Sequence, residues 1–128
     1  MNHMLLTSSN AEDGVSQLLG VNAMELLIND VLKEGGERRR LRAKAFGGAR
    51  MVAGLSEIGQ QNSAFILSFL EREGIVCESH SLGGDTARQL MFWPASGRVM
   101  QKIRNDAPKE TAAQVRAPER AGNDLELF

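Results

Sequence analysis

The 128-residue sequence predicts an α/β fold. Three observations carry that expectation. Residues 21–33 repeat apolar side chains at spacings of three and four, the signature of an amphipathic helix. Residues 41–46 alternate, with Leu41, Ala43 and Ala45 to one side of an extended chain and Arg42, Lys44 and Phe46 to the other. A second helical period then precedes another apolar run, so helix and strand follow one another as they do around a parallel sheet. Apolar content is ordinary, and no run is long enough to span a membrane. No secretory signal is visible at the N-terminus. One cysteine gives no disulfide framework, which suits a reducing cytoplasm. A net charge of −1 gives no reason to expect nucleic acid or anionic lipid as a partner.

Along the chain, residues 1–6 are apolar apart from Asn2 and His3 and fit a buried strand, with no lead-in before it. Residues 7–20 are small and polar, and predict a surface loop. The helix over 21–33 has Val21, Met24, Leu27, Ile28, Val31 and Leu32 as its stripe, Asn22 and Glu25 in the form of a capping pair, and Gly35-Gly36 as a stop. Burial of that stripe predicts severe destabilisation by Leu27→Asp, since a buried large apolar side chain is worth about 1.5–3 kcal/mol. Residues 37–40 make a charged turn, and its arginines Arg38, Arg39 and Arg40 read as a solvated surface rather than a phosphate site.

The alternating strand stops at Gly47-Gly48, where backbone freedom or close approach is required. A connector over 49–57 leads to a second helix from about residue 59 or 60 to 73, with Phe65, Ile66, Phe69 and Leu70 as its core side and Gly74 as its end. Residues 75–80 form a strand, 81–86 a loop, and 87–93 and 98–103 a hairpin joined by Pro94-Ala95-Ser96-Gly97. Composition shifts at Arg104, so the domain is expected over 1–103 and a disordered tail over 104–128, the final Leu125, Leu127 and Phe128 reading as a frayed end.

Few residues offer chemistry. His3 is either a buried imidazole satisfied by a hydrogen bond or a catalytic group, and its residue type alone favours the first. Cys77 reads as a small core residue with no nearby cation to lower its pKa. Cys77 and His80 have the spacing of a metal pair, but an offset of three on a strand puts them on opposite faces, so no metal and no cofactor is expected. Neither a Walker pattern, a dinucleotide fingerprint nor a Gly-x-Ser-x-Gly elbow is present.

The segment Ala43-Lys44-Ala45-Phe46-Gly47-Gly48-Ala49 resembles the Ala-Lys-x-Phe-Gly-Gly-Ala signature of the chemoreceptor glutamine deamidase family, CheD. Met1-Asn2-His3-Met4-Leu5-Leu6 is similar to that family's Gly-Gly-Met-x-His-x-Leu-Leu-Pro strand, with Thr7 where the proline would stand. Residues 20–29 resemble its first long helix, and Ile58-Gly59-Gln60-Gln61-Asn62 its Ile-Gly-x-x-Asn element. Ser81-Leu82-Gly83-Gly84 with the strand and turn that follow resembles its last hairpin, so the likeness runs unbroken over about 1–103.

The resemblance implies an α/β sandwich with a mixed sheet, two main amphipathic helices and a C-terminal hairpin. It implies hydrolysis of glutamine side chains to glutamate, with loss of ammonia, on methyl-accepting chemotaxis receptors in the cytoplasm. The chemistry it implies is thioester acyl transfer, in which a thiolate attacks the carboxamide and a histidine handles the protons. By motif position His3 is that histidine. The family's thiol lies in a Gly-Ser-Cys element upstream of the histidine strand, and the sequence starts after it; Cys77 matches no catalytic position. A start assigned too late, a shortened chain and a non-catalytic remnant are three open explanations. The remnant would be a binding module that docks receptors or a CheC-type phosphatase without turnover.

Overall fold

A computed structural model describes residues 1–5, 13–50, 56–104 and 125–128. The elements in chain order are α1 (Asp13–Lys33), a 3-10 turn (Arg38–Arg40), β1 (Arg42–Gly47), α2 (Ser56–Arg72), β2 (Val76–Leu82), β3 (Ala87–Trp93), β4 (Arg98–Arg104) and β5 (Leu125–Leu127). Helices combine with both parallel and antiparallel strand pairs, so the fold is α/β. The chain divides into two units, Met1–Asp85 and Thr86–Phe128.

In the first unit β1, α2 and β2 form a β-α-β element. The two strands are parallel, with Arg42 opposite Val76 and Gly47 opposite Leu82. The register shifts between Ala43, opposite Cys77, and Lys44, opposite Ser79, which leaves Glu78 as the extra residue of a bulge. Helix α2 lies against both strands and against α1. The core is built from Met24 and Ile28 of α1, Phe69 and Leu70 of α2, and Ile75 at the entry to β2. Met4, Val21, Leu32, Leu41, Ala43, Phe65, Ile66 and Cys77 pack on it, and the Phe65 and Phe69 rings stack with centroids 6.0 Å apart. Leu27 is only half-buried and Val31 is 38% exposed, so the stripe read from spacing narrows to Met24 and Ile28 with Val21 and Leu32 beside them.

Both helices end as the glycines foretell. At the end of α2 the Ile75 N–H donates to the Leu70 carbonyl (2.9 Å) and the Gly74 N–H to Glu71 (3.1 Å). Gly74 has φ +66°, the left-handed conformation that this pair of bonds requires, and Ile75 and Leu70 meet in the core. The same bonds close α1, from Gly36 to Val31 and from Gly35 to Leu32. The turn after α1 carries ion pairs. Arg38 pairs with Glu73, and Arg39 and Arg40 both pair with Glu37. The arginine run is thus an ion-paired surface turn, three cations on two carboxylates.

Three boundaries differ from expectation. Helix α1 begins at Asp13, where a loop to residue 20 was expected; residues 7–12 of that loop lie outside the described residues. Gln17, Leu18 and Leu19 are good helix formers, and adding a turn to a nucleated helix needs no buried stripe. Helix α2 begins at Ser56, ahead of the expected 59 or 60, and connector residues 51–55 lie outside the described residues. The segment Met1–Leu5 is not a strand: among the described residues no strand pairs with it, and Met1 and Leu5 are 87% and 72% exposed. An apolar run reads as a buried strand only if a neighbour supplies its hydrogen bonds.

The second unit is an antiparallel sheet in the order β3-β4-β5. The hairpin has the expected turn, closed by the Gly97 N–H on the Trp93 carbonyl (2.9 Å), with Ser96 Oγ accepting from the Arg98 N–H (3.2 Å). Val99 and Gln101 of β4 are buried. The frayed end expected at the C-terminus is instead β5, with Met100 opposite Leu127 and Phe128 and Val99 exchanging backbone bonds. Leu-Glu-Leu is too short for its alternation to signal a strand without the neighbour that pairs it. The remainder of the expected tail, residues 105–124, lies outside the described residues.

Candidate functional site

The segment carrying His3 is held from both sides. The Asn2 side-chain amide donates to the Ala23 carbonyl of α1 (3.2 Å), and Met4 packs on the core cluster. Between them His3 is exposed. An extended chain alternates, so anchoring residues 2 and 4 near α1 turns residue 3 outward. The buried reading of His3 is therefore wrong. Its imidazole is accessible, on a segment tied to the helix that supplies Met24 and Ile28 to the core.

The alternating strand that heads the signature packs on the same cluster through Leu41 and Ala43, and Ala45 is buried. Its glycine pair then makes a close crossing. A Cβ on Gly48, whose φ is +68°, would lie 2.7 Å from the Gly59 carbonyl oxygen and would overlap Ser63 Oγ. A Cβ on Gly59 would lie 2.5 Å from the Gly48 carbonyl oxygen. The Phe-Gly-Gly turn and the Ile-Gly-x-x-Asn element, on either side of the connector, are thus one backbone-on-backbone junction, capped by Ser63 Oγ donating to the Gly59 carbonyl (2.8 Å). Sequence reasoning noted both glycine elements but had no signal that they touch.

Because β1 and β2 are parallel, their C-terminal ends meet at one edge, and the loops after them are tied together there. Gly83 N–H donates to the Gly47 carbonyl (2.9 Å), Arg50 N–H to the Gly84 carbonyl (2.8 Å), and the Arg50 guanidinium pairs with Asp85 (3.1 Å). In open α/β sheets this edge is where ligands bind.

Cys77 lies on β2, half-buried, packed on the core, with its thiol donating to the Ser79 carbonyl (3.5 Å). Burial pushes its pKa up, and a backbone hydrogen bond at Ser79 offsets part of that. A protonated, inward thiol is a poor nucleophile. His80 is exposed; the bulge sets Cys77 opposite Ala43 and His80 opposite Ala45, so the offset of three does not place them on opposite faces as the spacing alone predicts.

Comparison with known proteins bears on the whole of this arrangement. The family model "CheD chemotactic sensory transduction" matches residues 4–103. A protein of Cereibacter sphaeroides named "Probable chemoreceptor glutamine deamidase CheD" is 54% identical over 101 residues, covering 79% of this chain and 51% of its own. The chain thus spans about half the length of that relative. Proteins of the same name from Agrobacterium fabrum and Caulobacter vibrioides are each 46% identical over 134 residues, covering all of this chain and 74% and 72% of theirs. The signature strand and the glycine junction lie within residues 4–103, the matches to the Agrobacterium and Caulobacter proteins cover the histidine segment as well, and the chain belongs to the CheD family.

Proposed function

We propose that the protein hydrolyses glutamine side chains to glutamate on methyl-accepting chemotaxis receptors, with His3 as the proton-handling residue of a thiol–imidazole pair. The observation that carries this reading is identity across the full chain to proteins named as chemoreceptor glutamine deamidases. The exposed imidazole of His3, held by Asn2 and Met4, agrees with it.

In this reaction the thiolate adds to the carboxamide carbon. The imidazolium gives its proton to the departing nitrogen, and ammonia leaves a thioester. Water, deprotonated by the neutral imidazole, then cleaves the thioester to the carboxylate and regenerates the thiol. Cys77 is not that thiol, because it faces the core and burial holds it protonated. The nucleophile is a thiol outside these 128 residues. The protein acts in the cytoplasm, where the receptors present their helices; among the described residues no helix is long and apolar enough to cross a membrane.

Receptor fragments incubated with a chain that carries both the Gly-Ser-Cys element and these residues should gain the mass of amide-to-acid conversion at discrete glutamines. Unmodified glutamines would contradict the assignment. A second reading rests on Cys77 being the only thiol of the sequence: these residues alone would dock receptors or a CheC-type phosphatase without turnover. Receptor binding with no ammonia release, even when the thiol-bearing element is present, would favour it.

A further inference from the structure

The two faces of the β3-β4-β5 sheet are unlike. On one side Val99 and Gln101 of β4 are 4% and 1% exposed, with Phe92 and Leu90 opposite them on β3 at 37% and 39%. On the other, one row runs across all three strands: Met91 opposite Met100, and Met100 opposite Leu127. Met91 and Leu127 are 59% and 63% exposed. Trp93 and Leu125 flank the row on the same face, at 37% and 61%. The cations of this face are Arg98, whose guanidinium lies 5.2 Å from the Trp93 ring centroid, Lys102, opposite Leu125, and Arg104, opposite Ala87 at the far end of β4. No acid stands with them among the described residues: Glu126 pairs with Gln101 and so belongs to the other face. In a chain of net charge −1 this is a local concentration of positive charge on apolar ground.

We propose that this face docks an amphipathic helix of a partner protein, its apolar stripe on the Met91–Met100–Leu127 row and its flanking carboxylates on Arg98 and Lys102. The dimensions fit. Three strands spaced about 4.8 Å apart present a strip about 10 Å across, the width of one helix. A sheet face is ordinarily covered by a helical layer. Methionines at the centre adapt to differing apolar stripes. A second copy of the chain is disfavoured, since a symmetric pairing brings together two faces that carry cations and, among the described residues, no acid to offset them. The proposal stands whether or not the protein turns over glutamine.

Trp93 is the sole tryptophan, so its emission reports on this face directly. The probe is a synthetic helix of about 20 residues with leucine at i, i+3, i+4 and i+7 and glutamate on its flanks, alongside a twin with lysine in place of glutamate. The acidic peptide should shift Trp93 emission to the blue, saturably, and more weakly as salt rises. Arg98→Gln with Lys102→Gln should weaken binding about tenfold or more. Met91→Glu should do the same, with an unchanged unfolding transition because the side chain is exposed. If Met91→Glu disturbs folding, the paired Gln variant alone decides. Equal response to the lysine twin, or response to neither peptide, would overturn the proposal. A response to phosphatidylglycerol vesicles but not to the peptide would assign the face to membrane instead. Concentration-dependent dimers abolished by Met91→Glu would assign it to self-association.

Discussion

Asn2 and Met4 bind toward α1 and the core while His3 turns to solvent, so the candidate imidazole is placed by its neighbours and contributes little to stability itself. His3→Ala should therefore change unfolding free energy by no more than about 0.5 kcal/mol in denaturant titration. A larger loss would mean that the side chain is part of the packing. Cys77 is the opposite case. Its pKa is raised in the folded state, so the folded protein prefers the thiol over the thiolate. That preference contributes fully below the ordinary thiol pKa and is lost as pH rises through the raised one. The unfolding midpoint should fall in alkaline solution, and Cys77→Ala should flatten that fall. Which residue faced which way was not legible from residue type: His3 read as buried, because an apolar neighbourhood in sequence is not one in space. Cys77 was legible because a strand with small inward residues needs no special partner to bury a thiol.

At the scale of elements, the glycine junction makes the sharpest demand. Gly48→Ala and Gly59→Ala each force a Cβ into facing backbone and should each cost about 1–3 kcal/mol or more. Gly74→Ala meets nothing within 4 Å and pays only for its left-handed φ, about 1–2 kcal/mol. Equal losses at the three positions in denaturant titration would refute the crossing. In the core, Ile28→Asp should be more damaging than Leu27→Asp, because Ile28 is 7% exposed and Leu27 only half-buried. At the other end of the chain, deleting residues 125–128 removes the partner of Val99, whose amide should then exchange faster in hydrogen–deuterium measurements. Helix ends and the hairpin were readable because glycine and proline act within a few residues. β5 and the Gly48–Gly59 contact were not, since each depends on a partner in another element, and the start of α1 was not because its first turns carry no buried stripe.

For the whole molecule, composition marked out an ordinary α/β protein with no nucleic-acid or membrane-spanning character, and went no further. The order of motifs from His3 to the β3–β4 hairpin named the family, which length and charge could not. The imidazole of His3 stands outside the packed interior, in keeping with the role proposed for it. The most direct measurement is ammonia release from receptor glutamine by a chain carrying the Gly-Ser-Cys element ahead of these residues, compared among the parent, His3→Ala and Cys77→Ala. The parent and Cys77→Ala should release ammonia at matching rates, and His3→Ala should be slower by about a hundredfold or more. Full activity without His3, or loss of activity without Cys77, would contradict the assignment.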